Sequence, residues 1–287
     1  MRLHADWDRY LHRLRTREID TIFGDVPPAT FRRGLELGAG DGFQSALLRR
    51  YVGELVCTDY TDNWFAGRSG DGIRFQQLDA ERIADAFGPG EFDLIFSSNM
   101  FEHLPDAERA LRGIHHVLAD DGITIHVMPS PFWKLSNAAL YFPQKASRLV
   151  ELMTGGGLRD ALERQRAVPA RAWDNNPKTS RSRPRSIFAR LLLPPPHGVS
   201  KTHIEELRVF SRARWLARLE ACGFEVIATI RGPVSSGYGF GLDRCRAMLE
   251  GLGLTSEHVY VAVKKGRRSP ASRYFLSRPG ATPLAAV

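Results

Sequence analysis

Residues 34–45 read GLELGAGDGFQS, and no other stretch constrains the chain so tightly. Leu35 and Leu37 flank Glu36 in the alternation of a strand. Gly38, Gly40 and Gly42 then follow at every second position, directly before the helical run Gln44–Tyr51. Glycine permits a tight turn and lets a ligand lie against bare backbone. A strand that ends in such a loop and opens a helix is the cofactor-binding arrangement of a doubly wound sheet. The spacing excludes the commonest versions. A dinucleotide fingerprint is GxGxxG, but here the third glycine comes one residue early, and Phe43 stands where that fingerprint needs a small residue. No Lys-Ser/Thr pair follows, which excludes a P-loop.

The flanking pattern agrees with such a sheet. Short apolar runs at Gly34–Leu37, Leu55–Thr58, Ile73–Leu78, Phe92–Ser97 and Ile123–Met128 alternate with helical stretches, the clearest being Gln44–Tyr51 and Ala107–Leu118. That alternation predicts βαβ units, a parallel sheet and helices on both faces. Residues 5–23 read as an amphipathic helix with Trp7, Tyr10, Leu11, Leu14 and Ile22 near helical spacing. Ser211 is an N-cap candidate for a helix through Cys222 closed by Gly223, and Phe224–Ile230 and His258–Val263 are strand-like.

The acids say what the loop holds. Glu36 precedes the glycines, where a carboxylate favours a cationic ligand and repels a phosphate. Asp59 ends the second strand in VCTDY, where it can accept from both hydroxyls of a ribose. Asp79, in FQQLDAE after the third strand, is placed to accept from an adenine amino group, with the Ala80 N–H meeting a ring nitrogen.

ELGAGDG, the acid at Asp59, LDAE and FDLIFSSNMFEHLPD, in that order, resemble a class I S-adenosylmethionine-dependent methyltransferase of the small-molecule, ubiquinone-biosynthesis-like branch. The resemblance covers residues 30–130 and continues in HIEELRVFSRARWLARLEACGFEV. It implies an α/β, doubly wound, mostly parallel seven-stranded sheet with a C-terminal antiparallel hairpin, and S-adenosyl-L-methionine as cofactor. It also implies Glu36, Gly38 and Gly40 around the methionine moiety, Asp59 on the ribose and Asp79 on the adenine. Ala39, Gly42, Tyr60, Ala80, Ser97 and Asn99 complete the expected cofactor-binding set. One departure is the turn Asp120-Asp121-Gly122, where relatives carry a basic or Pro-Gly turn; it belongs at the face away from the cofactor.

A methyl on a sulfonium is already electrophilic, so the protein must align the acceptor and, for a hydroxyl, take up its proton. The candidate bases are His103 in EHLPD and His197 and His203 in PPPHGVSKTHIEE. His126 reads as a satisfied core residue, and His115-His116 as packing or surface. Ser97-Ser98-Asn99-Met100 is not the Asn/Asp-Pro-Pro-aromatic motif of nucleic-acid amino-methyltransferases, so nucleic acid is set aside as a partner.

Charge divides the chain unevenly. Residues 1–130 carry 14 basic against 21 acidic side chains, residues 131–203 carry 13 against 4, and residues 264–287 carry 6 against none. The expected organisation is an N-terminal helix (1–28), a cofactor-binding core (29–130), a basic insertion acting as acceptor lid (131–203), the rest of the core (204–265) and a flexible basic tail (266–287). In PFWKLSNAALYFPQKASRLVELM, aromatics interleave with Lys134, Lys145 and Arg148, and RSRPRSIFARLLLPPP joins four arginines to an apolar cluster. These features suit a phosphorylated acceptor, an anionic membrane surface, or a solvated face balancing the acidic core. Cys57, Cys222 and Cys245 form no CxxC and read as buried free thiols. With no signal-peptide core and no membrane span, the chain is expected in the cytoplasm, with peripheral contact at the inner face of the membrane as a further expectation. The expected function is O-methylation of a small molecule or a lipid- or nucleotide-linked glycan. The competing readings are a non-catalytic cofactor- or surface-binding module and an RNA methyltransferase.

Overall fold

The computed structural model describes residues 7–61, 70–153, 200, 202–235, 242–276 and 282–283. Helix α1 (Trp7–Phe23) precedes β1 (Phe31–Leu37), α2 (Phe43–Leu48), β2 (Val52–Asp59) and β3 (Ile73–Gln77). Then come α3 (Ile83–Ala86), β4 (Phe92–Ser98), α4 (Ala107–Val117), β5 (Leu118–Pro129) and α5 (Pro131–Met153). After the insertion follow α6 (His203–Val209), α7 (Arg212–Ala221), β6 (Phe224–Arg231), α8 (Asp243–Gly251), β7 (Glu257–Lys264), α9 (Arg273–Leu276) and β8 (Thr282–Pro283). The sheet order is β3-β2-β1-β4-β5-β7-β6-β8. Strands β1 to β5 pair in parallel, while β7 is antiparallel to both β5 and β6. The ends of β1 to β6 therefore share one edge, the carboxyl edge, with the start of β7.

Strand alternation sorts the core into two layers. Leu35, Leu37, Val56 and Ile95 pack with Ile83, Leu111, Ile114, Trp215 and Leu219, joining α3, α4 and α7 on one face. Cys57, Phe96, Ile125 and Val127 face the other way and pack with Ile19, Ile22, Phe23 and Leu48, joining α1 and α2. A doubly wound sheet thus follows from period-2 patterning buried on both faces.

The chain's end departs from expectation. Residues 266–287 were expected as a flexible tail, yet Ser269 caps a turn at Pro270–Ser272, α9 follows, and β8 extends the sheet beyond seven strands by pairing with β6. The reason is Phe275, fully buried, with its ring edge-on to Phe23 at 6.1 Å between centroids. Burying such a side chain stabilises by about 1.5–3 kcal/mol, which offsets ordering cost that composition alone does not predict. Two smaller corrections accompany it. Ser211 stands at the N-cap of α7 without a side-chain capping bond, and Cys245 is exposed while Cys57 and Cys222 are buried. Within the insertion only α5 is described before residue 200; the Gly155–Gly157, Arg181–Arg190 and Pro194–Pro196 stretches lie outside the described residues. Asp120 sits at the start of β5, away from the carboxyl edge, and pairs with Lys264 and Arg267.

Candidate functional site

The glycine loop is wired to its neighbouring strand through backbone. Gly38, Gly40 and Gly42 have φ of +75°, +54° and +76°, a region that disfavours side chains. The Gly38 and Ala39 N–H groups donate to the Thr58 carbonyl at 2.8 and 3.0 Å, and the Gly40 N–H donates to Asp59 Oδ2 at 2.9 Å. Asp59 Oδ1 accepts from the Thr61 N–H at 3.1 Å. Oδ1 also accepts from the Thr61 hydroxyl at 3.3 Å, while Oδ2 keeps a free acceptor site, so one ribose hydroxyl can be received there and a second where the Thr61 hydroxyl turns away. An added side-chain carbon at Gly40 would meet nothing within 4 Å, whereas at Gly38 it would stand 2.8 Å from Met100 Cγ. Gly40 is open on one side, and Gly38 is closed by packing.

Glu36 lies beneath this loop, fully buried, and accepts from the Ser45 hydroxyl of α2. Burial pushes its pKa up to about 7, with Asp59 and Asp41 adding to the rise against the Ser45 hydrogen bond. Asp79 follows β3, and its Oδ1 accepts from the Glu81 N–H, capping the turn that contains Ala80. Tyr60 accepts at its carbonyl from Gln77 Nε2 at 2.9 Å. These residues fit the adenosine and sulfonium parts of S-adenosylmethionine: acceptors at the ends of β2 and β3, bare backbone at Gly40, and a carboxyl below.

Two expected residues of β4 divide. Ser97 is fully buried, and its hydroxyl meets His126 Nδ1 at 2.8 Å while Thr124 meets His126 Nε2 at 2.8 Å. Its side chain is engaged in the core, and by alternation Ser98 faces α1. Burial pushes His126 down to about 3, so the ring is neutral, the satisfied core histidine expected of it. Asn99 adopts φ +49°, donates its N–H to the Val127 carbonyl at 2.9 Å and turns its amide toward the Ser98 hydroxyl at 3.1 Å. Such a conformation in a non-glycine residue costs of order 1–3 kcal/mol and concentrates at functional sites.

The sequence marks residues 5–23 as a helix but not that this helix covers the carboxyl edge. Arg15 of α1 donates to Glu18 at 2.6 Å and to the Ser98 hydroxyl at 2.8 Å, while Gln44 Nε2 donates to Glu18 at 2.8 Å. His12 stacks on Phe43 with ring centroids 3.9 Å apart. Burial works against the Arg15 charge, but Glu18, Glu257 and Glu102 outweigh it and hold its pKa above the ordinary value. The signal was legible: Arg15 and Glu18 share a helical stripe with Leu11, Leu14 and Ile22, and charges inside a buried stripe need a reason.

Of the candidate bases, His103 ends a short turn after β4, with Nε2 3.9 Å from Glu102 Oε1. Glu102 is buried, among the described residues none donates a hydrogen bond to either oxygen, and burial pushes it up to about 8 against the pull of Arg15. His203 opens α6 with Nδ1 3.8 Å from Glu206, whose carboxylate meets Lys134 of α5 at 2.6 Å. Lys134 is thus a buried partner rather than a surface cation. His197 lies outside the described residues.

Residues 35–126 match the methyltransferase domain family. This segment is a class I S-adenosylmethionine-dependent methyltransferase domain. The zebrafish (Danio rerio) protein named arginine-hydroxylase NDUFAF5, mitochondrial, is 30% identical over 165 residues, 57% of this chain and 49% of that protein. A ubiquinone biosynthesis O-methyltransferase of Ruegeria pomeroyi is 30% identical over 123 residues, 40% of this chain and 48% of the enzyme. The chain spans about half the length of these curated relatives. A crystal structure of an S-adenosylmethionine-dependent methyltransferase from Thermotoga maritima shares the fold, with TM-score 0.50 and 15% identity over 91% of this chain and 95% of that one. The methyltransferase domain thus carries the glycine loop, Asp59, Asp79 and Glu102, while α1, α5 and α6 cover its carboxyl edge from outside the matched residues.

Proposed function

We propose that the chain transfers a methyl group from S-adenosylmethionine to a hydroxyl of a small-molecule or lipid- or nucleotide-linked acceptor entering at the carboxyl edge. The observation that carries this reading is the conjunction at the loop: Gly40 open on one side, its N–H fixed by Asp59, and Glu36 buried below. When bound, the cofactor supplies an electrophilic methyl on a positive sulfur. Asp59 would hold the ribose and Asp79 the adenine, fixing the methyl donor at the carboxyl edge. Glu36 ionises beside the positive charge. His103, after β4 and beside Glu102, would take the proton that the acceptor hydroxyl gives up when it is methylated. His203, at the start of α6, contacts the acceptor from the insertion side. The acceptor is a small molecule or a glycan carrier rather than a nucleic acid, and the protein works in the cytoplasm or at the membrane's inner face. No described helix is long and apolar enough to cross a membrane.

The test follows label from methyl-labelled S-adenosylmethionine into water-soluble and lipid extracts. Label bound through oxygen supports the reading. Turnover without label transfer would favour the hydroxylase chemistry named for the zebrafish relative.

A further inference from the structure

Among the described residues, every large apolar side chain left exposed, except Leu276, lies on segments at the carboxyl edge. Leu135 and Phe142 of α5 are 58% and 52% exposed, and with Ala139 between them they share one helix face. On and beside α8, Leu242, Met248 and Leu252 are 51%, 60% and 72% exposed and fall in one stripe with the exposed Cys245. Soluble monomers rarely concentrate apolar surface in this way unless it meets a partner.

The inner side of α8 is accounted for. Arg17 of α1 meets Glu250 at 2.9 Å, and the Arg246 guanidinium lies 4.7 Å from the centre of the Tyr10 ring. The stripe therefore faces outward. Arg9 and Arg13 stand exposed on α1 beside it, and Arg244 is exposed on α8. A second copy seated on this face about a two-fold axis would set one arginine-bearing face against another. An anionic surface would complement them.

We propose that this edge docks the protein on an anionic lipid bilayer. The leucine and methionine side chains of α8 and the α5 stripe enter the boundary between headgroups and acyl chains, and Arg9, Arg13 and Arg244 meet lipid phosphates. The mouth of the site then opens toward the membrane, which makes the acceptor a lipid or lipid-linked molecule; that last step rests on the methyltransferase reading, while the docking does not.

Flotation of the full chain with vesicles tests it. Vesicles of phosphatidylcholine alone are compared with vesicles carrying about one-third phosphatidylglycerol. The chain is expected to float with the anionic vesicles only. Met248→Ser with Leu252→Ser should lower the bound fraction about tenfold, and Leu276→Ser, on α9, should change nothing. Failure of the unmodified chain to float, or equal flotation of the double variant, overturns the proposal. So does lipid-free self-association that the double variant abolishes, which would assign the face to a second copy. Cofactor affinity of the same proteins reads the other claim separately: flotation without cofactor binding would sink the methyltransferase reading and leave docking intact, and binding without flotation would do the reverse.

Discussion

The two halves of the carboxyl edge are built differently. Around the ends of β1 and β2, the loop's contacts are made by its backbone N–H groups: Gly38 and Ala39 to the Thr58 carbonyl, and Gly40 to the Asp59 carboxylate. Around the ends of β4, β5 and β7, contacts run between buried side chains: Arg15 to Ser98, Lys134 to Glu206, and Glu257 and Glu102 facing Arg15. Backbone wiring suits a cofactor whose shape is fixed, because any chain with the right turns can make it. Buried charge suits selection among acceptors, because an unpaired charge inside a protein is costly and so discriminates strongly.

The largest expected effect breaks the first half alone. Gly40→Val should abolish S-adenosylmethionine binding, since it fills the open side of Gly40 and places a branched side chain at φ +54°. The strain should cost about 1–3 kcal/mol of stability while the protein still folds. Thermal unfolding and calorimetry read the two separately, and unchanged affinity would sink the site assignment. Lys134→Met attacks the second half. It leaves Glu206 buried beside its missing partner and should cost about 3–5 kcal/mol of stability, with cofactor affinity retained in the folded fraction. Denaturant unfolding should show recovery in the Lys134→Met, Glu206→Leu double variant.

Glu102 sharpens the comparison through pH. Its folded pKa of about 8 lies above the ordinary 4.5, so the folded state holds the proton more tightly. That contribution is fully present below pH 4.5 and is lost as pH rises toward 8, at up to about 1.4 kcal/mol per pH unit. Glu102→Gln should flatten this decline in a series of unfolding curves, and an unaltered slope would contradict the burial argument. Asp59→Ala should weaken cofactor binding by about 1–3 kcal/mol in calorimetry, and by less than Gly40→Val because only hydrogen bonds are lost. The smallest effect belongs to Glu36. With a folded pKa of about 7, it must release a proton to sit ionised beside a sulfonium. Affinity should therefore fall about tenfold from pH 8 to pH 6, and Glu36→Gln should remove that dependence.

The same contrast explains what could be read from the sequence. The sheet, the glycine loop, Glu36, Asp59 and Asp79 were legible because they are local: a strand alternates, turns demand glycine, and acids follow strands at fixed places. Leu35 and Leu37 on one face with Glu36 on the other is a statement about three neighbours. Arg15 and Ser98 are 83 positions apart, and no periodicity relates them. The partner of the Ser97 hydroxyl, His126, lies 29 positions away on β5, and no local pattern announces it. Phe275 was missed because one aromatic in a basic tail carries no pattern until Phe23 is seen beside it.

The measurement that tests the account most directly is calorimetric titration with S-adenosylmethionine and S-adenosylhomocysteine, on the unmodified chain and on Gly40→Val. The account predicts saturable binding of both ligands to the first protein and of neither to the second, with folding intact in each. Absence of binding to the unmodified chain, or equal binding by both proteins, would contradict it.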